Sequence, residues 1–222
     1  MIPFQNPTIY IGGLRIDEPI TTLTDFIFVG VCVYAFFKTK NVSAERGINL
    51  YRWFFLLTGF SSLVAAFIGH AFLYYFGWEA KIYGWITGII SVSFAQFAVL
   101  YHTRKSIGDK AFKVLYTIDI IEIIAAFIMT FVMYSFTAVE IHTAYALVIN
   151  VTILEWIHYK KTGSLLSKYM IYGVGIAVIA VMCHVFKIAF SVWFNHLDLS
   201  HIFMALSMYM MYKGVSKFKP TE

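Results

Sequence analysis

Seven stretches of the chain run almost without interruption in apolar residues, and polar, turn-rich segments separate them. A helix needs about 20 residues to cross the hydrocarbon core of a bilayer, and runs of this length predict spanning helices. We place these helices at about 19–38, 47–75, 81–102, 111–135, 138–159, 166–192 and 197–214. KTKNVSAERG follows the first run, HTRKSIGDK the third and KKTGSLLSK the fifth, while the even-numbered connections are much shorter. No internal repeat, low-complexity tract or linker interrupts the order. The expectation is one all-α domain over residues 1–222, an integral membrane bundle of seven helices.

Composition leads to the same place. Of 222 residues, 60% are hydrophobic and 13% charged, against roughly 25% charged in an average soluble domain. One compact core of this length cannot hide that much apolar surface. The net charge of +5 is distributed unevenly. Of 17 Lys and Arg, 14 lie in or beside the first, third and fifth connections and the C-terminal tail. Arg15 and Lys81 lie on the opposite side, and Lys187 lies near the end of the sixth helix. By the positive-inside rule the N-terminus is outside and the C-terminus cytoplasmic, which also requires an odd number of spans. Basic charge of this origin gives no reason to expect nucleic acid as a partner. The sequon at Asn41 falls on the cytoplasmic side and carries no weight as a glycosylation site. Cys32 and Cys183, the two cysteines, each sit inside an apolar run and read as packing thiols. The first twenty residues lack the basic and apolar regions of a cleaved signal, so the first span directs its own insertion.

An ionisable side chain at membrane depth is costly unless it finds a partner, which makes such residues candidate sites. In the orientation above, His70, His184, His196 and His201 all lie in the outer half, with Asp25, Glu79, His142 and Asp198 on the same side. His102 and His158 fall at cytoplasmic helix ends. The densest constellation is NHLDLSH, residues 195–201, at the start of the last helix. Asp198 and His201 are three apart and share a helical face. His196 and His201 are five apart, about 140° around a regular helix, so they reach one point only if His196 sits at or before the helix start. Two imidazoles and a carboxylate suit zinc, with a third imidazole completing the set and one position left open for water. The sequence nominates His70, His196 and His201 as ligands, with Asp198 orienting His201 or acting as general base. Asp198 also fits a plain helix-capping role. His184, three before Lys187, reads as structural or anion-binding, and Asp119 with Glu122 as carboxylates that pair with basic groups near the cytoplasmic boundary. Gly84 and Gly88 form a G-x-x-x-G close-packing pattern. The common hydrolase and nucleotide-binding signatures are missing.

Seven spans, a histidine late in the second helix, and paired histidines opening the seventh before IFMALSMYMMYKG resemble the CREST superfamily, which includes alkaline ceramidases and progestin/adipoQ receptors. EPITTLTDF and FNHLDLSH also resemble an uncharacterised group of bacterial seven-span proteins related to it. The resemblance covers the whole chain in topology and few residues in identity. It implies a buried zinc that supports hydrolysis of a lipid amide. The second-helix pattern of that superfamily is Ser-x-x-x-His, whereas Ala66 stands four before His70 and Ser62 a further turn away. Its seventh-helix pattern is His-x-x-x-His, whereas four residues separate His196 from His201. Its following-helix Asp has Glu79 as the nearest acidic counterpart here. The leading expectation is a zinc-dependent hydrolase acting on a membrane lipid amide or ester in a bacterial inner membrane. Two other classes fit the same residues: a non-catalytic receptor-like or structural lipid-binding protein, and a redox protein with haem bridged by His70 and His201.

Overall fold

The computed structural model describes residues 7–219. The described chain opens on an antiparallel hairpin, β1 (Thr8–Ile11) and β2 (Leu14–Asp17). Gly12 and Gly13, both at positive φ, turn it. Everything after the hairpin is helical or connecting loop. Seven long helices follow among the described residues: α1 (Pro19–Lys38), α2 (Arg46–Ala71), α3 (Trp78–Ile107), α4 (Asp109–Met133), α5 (Thr137–Thr162), α6 (Leu165–Val185) and α7 (His196–Ser216). The first six are long and apolar enough to cross a membrane. The seventh has 21 residues, and His196, Asp198, His201 and Lys213 dilute its apolar character.

Two boundaries differ from the sequence expectation, each for a backbone reason. The sixth helix stops at Val185, not near 192. Lys187 adopts a left-handed conformation (φ 50°), and the Ile188 N–H reaches back to the Cys183 carbonyl at 3.0 Å. Residues 186–194 therefore form an irregular loop, and the sixth connection is not short. The second helix widens over Ala65–Ala71 into π-helical turns and closes with the Phe72 N–H on the Phe67 carbonyl at 2.9 Å. A single further turn, Leu73–Phe76, is all that remains of its expected end.

The bundle is built around α1, α2, α3, α6 and α7. The α6–α7 contact is very close: a Cβ added at Gly214 would lie 3.0 Å from the Leu166 carbonyl oxygen, and one at Gly173 2.5 Å from Met211 Cγ. The G-x-x-x-G pair is looser, with Gly84 facing Ala65 at 3.9 Å and Gly88 facing the Ser61 hydroxyl at 3.4 Å. Cys32 and Cys183 are buried free thiols. Helix α4 packs against α3 and α5 and leaves Ile121, Ile128 and Val132 more than half exposed. An apolar face of this kind needs lipid or another protein against it.

Candidate functional site

The hairpin hands the chain to α1 through Glu18, which holds a left-handed backbone (φ 46°, ψ 54°). For a residue other than glycine this costs about 1–3 kcal/mol, and strain of this kind concentrates at functional sites. The Glu18 N–H is fixed on the Pro7 carbonyl at 2.8 Å, and Pro19 opens the helix behind it. Its buried carboxylate meets His70 Nδ1 in a short hydrogen bond. His70 itself lies in the π-helical end of α2, and one extra residue per turn re-aims a side chain in a way a regular helix cannot.

Two turns into α1, Asp25 points its carboxylate at the same place. Ser62 of α2 donates to Oδ1 at 2.6 Å, while Oδ2 is buried without a hydrogen-bond partner. His70 Nε2 is 3.7 Å from Oδ2 and His201 Nε2, from α7, is 3.6 Å from Oδ1. Both distances are too long for hydrogen bonds. The two imidazole rings stand nearly perpendicular, with centroids 6.0 Å apart.

The outer nitrogens decide what faces inward. Thr24 Oγ1 donates its proton to the Thr21 carbonyl at 2.9 Å and sits 3.1 Å from His201 Nδ1. With its hydrogen used, that hydroxyl accepts, so His201 carries its proton on Nδ1 and turns a bare Nε2 lone pair toward Asp25. The Glu18 carboxylate enforces the same tautomer on His70. Two imidazole lone pairs and an open carboxylate oxygen thus converge, with ligand atoms within 4.8 Å of one another. Such an arrangement is repulsive unless a cation stands between them. Ligand atoms about 2.0–2.1 Å from a tetrahedral ion lie roughly 3.4 Å apart; the two imidazole–carboxylate separations, 3.7 and 3.6 Å, are near that value, and the rest of the set would draw together on binding zinc. Carboxylate and hydroxyl groups on the outer imidazole nitrogens are also what metal-binding histidines use to fix their orientation.

His70 and His201 are therefore brought together, with Asp25 as their companion. His196 stands elsewhere, its ring 5.4 Å from that of His184. It is the first residue inside α7, so the full 140° separation applies and the two histidines of NHLDLSH point to different neighbours. Asp198 closes a capping box: its Oδ2 accepts the Asn195 N–H at 2.6 Å, while Asn195 Oδ1 accepts the Leu197 N–H at 2.8 Å. The sequence does not single out Asp25, Glu18 or Thr24. The depth that the sequence expectation assigns in common to Asp25 and the histidines was the one available signal.

These features define an α-helical protein with six apolar helices of spanning length and a buried centre of two histidines and one carboxylate. The chain belongs to a family of unknown function (DUF6962), which matches residues 20–220. No curated protein matches it. No solved structure does either.

Proposed function

We propose that this protein is a zinc-dependent hydrolase of a lipid amide or ester. In this reading it spans a bacterial inner membrane seven times, with α7 as the last span, the N-terminus outside and the C-terminus cytoplasmic. The observation that carries it is the convergence of His70 Nε2, His201 Nε2 and an unpartnered Asp25 oxygen at distances that suit one small cation. The 14-to-2 split of basic residues supports the orientation, in which that centre would lie in the outer half.

His70, His201 and Asp25 would hold the ion. Zinc there would polarise a carbonyl and lower the pKa of a bound water toward 7. Glu18 keeps His70 in the ligand tautomer, and Thr24 does the same for His201. Ser62 holds Asp25 Oδ1, leaving Oδ2 to bind or to accept a proton. Asp198 stays with the helix cap and fixes the entry of α7, which carries His201. A compact ion suits the centre better than haem, because the Asp25 carboxylate sits where a porphyrin between facing imidazoles would have to pass.

The test is elemental analysis of protein purified without added zinc, followed by turnover assays on ceramide-like amides and lysolipid esters. Stoichiometric zinc with turnover supports the hydrolase. Zinc without turnover of either class favours the receptor-like or structural lipid-binding reading. Absence of zinc, or a strong haem band in the visible spectrum, would overturn the proposal.

A further inference from the structure

A second polar network lies between α3, α4 and α5, away from the histidine–carboxylate centre. Asp119 is fully buried on α4, a helix otherwise turned largely outward. Its carboxylate accepts from Asn150 Nδ2 at 3.0 Å to both oxygens, from the Tyr145 hydroxyl at 3.1 Å and from Gln96 Nε2 at 3.3 Å. The same Gln96 nitrogen reaches Glu122 at 3.2 Å. Glu122 in turn meets His142 Nδ1 at 2.9 Å, and His142 Nε2 faces the Ile89 carbonyl at 3.3 Å. The sequence places His142 on the side of Asp25 and Asp198, and reads Asp119 with Glu122 as partners of basic groups near the cytoplasmic boundary. Instead, His142 is fully buried and lies against Glu122.

The charge count is informative. Both nitrogens of His142 face acceptors, so a ring with one N–H leaves one of those contacts without a proton. Asp119 and Glu122, joined by the Gln96 amide, place two acidic groups beside one imidazole in an apolar bundle. The network also has one acceptor too many, because Gln96 Oε1 is buried with no donor. One added proton eases both defects: it neutralises one of the two acidic groups and supplies a donor among the groups around Gln96. A metal ion fits less well, since N–H and O–H groups already point at the carboxylate oxygens.

Two further features set this network apart from an ordinary packed ion pair. Tyr145 and Asn150 lie on a π-helical segment, Ala144–Val151, the same departure from regular helix that aims His70, and such turns recur at functional sites. Both residues also line a cleft of about 440 Å³, which runs from Ser106 and Lys161 past Leu115 and Ile153 to the partners of Asp119. The cleft thus connects the partners of Asp119 with Ser106 and Lys161.

We propose that Gln96, Asp119, Glu122, His142, Tyr145 and Asn150 form a proton-binding site inside the bundle, loaded along the cleft from its Ser106–Lys161 end. A hydronium ion entering the cleft gives a proton to the Tyr145 oxygen and leaves as water, while the tyrosine passes its own proton to Asp119 Oδ1. Tyr145 is unchanged and Asp119 becomes a neutral acid. The titratable groups around Asp119 are Glu122 from its own helix and Tyr145 from α5, with His142 of α5 against Glu122, while α3 contributes Gln96 and the Ile89 carbonyl to the network.

Infrared spectroscopy of the full chain in lipid vesicles tests this through the carbonyl stretch of a protonated carboxyl group. The wild type should show such a band growing as pH falls, and Asp119→Asn should lose it. Tyr145→Phe removes a donor to the carboxylate while preserving shape, so the band should appear at higher pH than in wild type. Ile153→Trp, which fills the cleft, should slow growth of the band after a pH jump and leave its final size unchanged. Absence of the band in wild type would overturn the proposal, as would a band that survives Asp119→Asn. If Asp119→Asn does not fold, an unmoved midpoint in Tyr145→Phe has the same force. Uptake unaffected by Ile153→Trp would overturn the route.

Discussion

Each end of the bundle holds two histidines and a carboxylate, yet the two sets differ in what they leave open. At one end, Asp25 accepts a single hydroxyl and keeps Oδ2 free, with two imidazole lone pairs turned toward it. At the other, Glu155 accepts the Tyr51 hydroxyl on Oε1 and the Ser167 hydroxyl on Oε2, each at 2.6 Å. His102 Nε2 lies 3.6 Å from Glu155 with no hydrogen-bond partner, while His158 turns its Nδ1 to the Ser106 hydroxyl at 2.7 Å. The rings of His102 and His158 stand 4.6 Å apart. Residue types are matched between the ends, and the surrounding hydroxyls differ. Two donors occupy both oxygens of Glu155, whereas one donor on Asp25 leaves Oδ2 as a coordination position. A count of His, Asp and Glu cannot separate a ligand set from a satisfied polar core.

The largest expected effect breaks the comparison cleanly. His70→Ala and His201→Ala should abolish zinc binding, while His102→Ala and His158→Ala keep it. An ion present at 100 times its Kd stabilises the folded state by about 2.7 kcal/mol. A chelator should therefore lower the thermal midpoint of the wild type and leave that of His70→Ala unmoved. Equal loss of zinc in the His102 and His158 variants would erase the distinction between the ends.

Much of this architecture is legible in the sequence, because uninterrupted apolar runs report helices without reference to their neighbours. Pairing is not legible in the same way. Asp25, His70 and His201 come from three helices, and only the packing of α1 beside both α2 and α7 brings them to one point. His196 shows what local geometry can settle: five residues from His201, it diverges by the angle a regular helix imposes. The π-helical turns at His70 and Tyr145 have no period in the sequence to announce them. They matter because one inserted residue re-aims the side chains that follow. The end of α6 was hidden for a related reason, since 186–194 is as apolar as the helix before it and only the backbone at Lys187 breaks the run.

A smaller effect sharpens the comparison by testing what holds the histidines. Glu18→Gln keeps the size of the side chain but removes the charge that fixes His70. Changes of this kind typically weaken metal affinity about 10- to 100-fold. Ser106→Ala, which deletes the corresponding hydroxyl on His158 at the other end, should leave zinc affinity unchanged. Competition with a chelator measures both. If Glu18→Gln binds zinc as tightly as wild type, the strained carboxylate has a purely structural role at the hairpin–helix junction.

The smallest effect concerns Asp198, which shares the helix start with His196 and lies three residues before His201. In the capping box its Oδ2 accepts the Asn195 N–H, and asparagine retains an oxygen that can accept the same bond. Asp198→Asn should therefore leave stability and zinc affinity nearly unchanged. Asp198→Ala removes the acceptor and leaves a buried N–H unmatched, a loss of about 1–3 kcal/mol read as a lower thermal midpoint. If the residue acts only through the cap, the Ala variant in excess zinc should still bind the ion stoichiometrically, because His70, His201 and Asp25 are untouched. A marked loss of zinc affinity in Asp198→Asn, with no loss of stability, would instead draw Asp198 into the Asp25–His70–His201 centre. The two ends would then differ by an extra acidic group as well as by their hydroxyls.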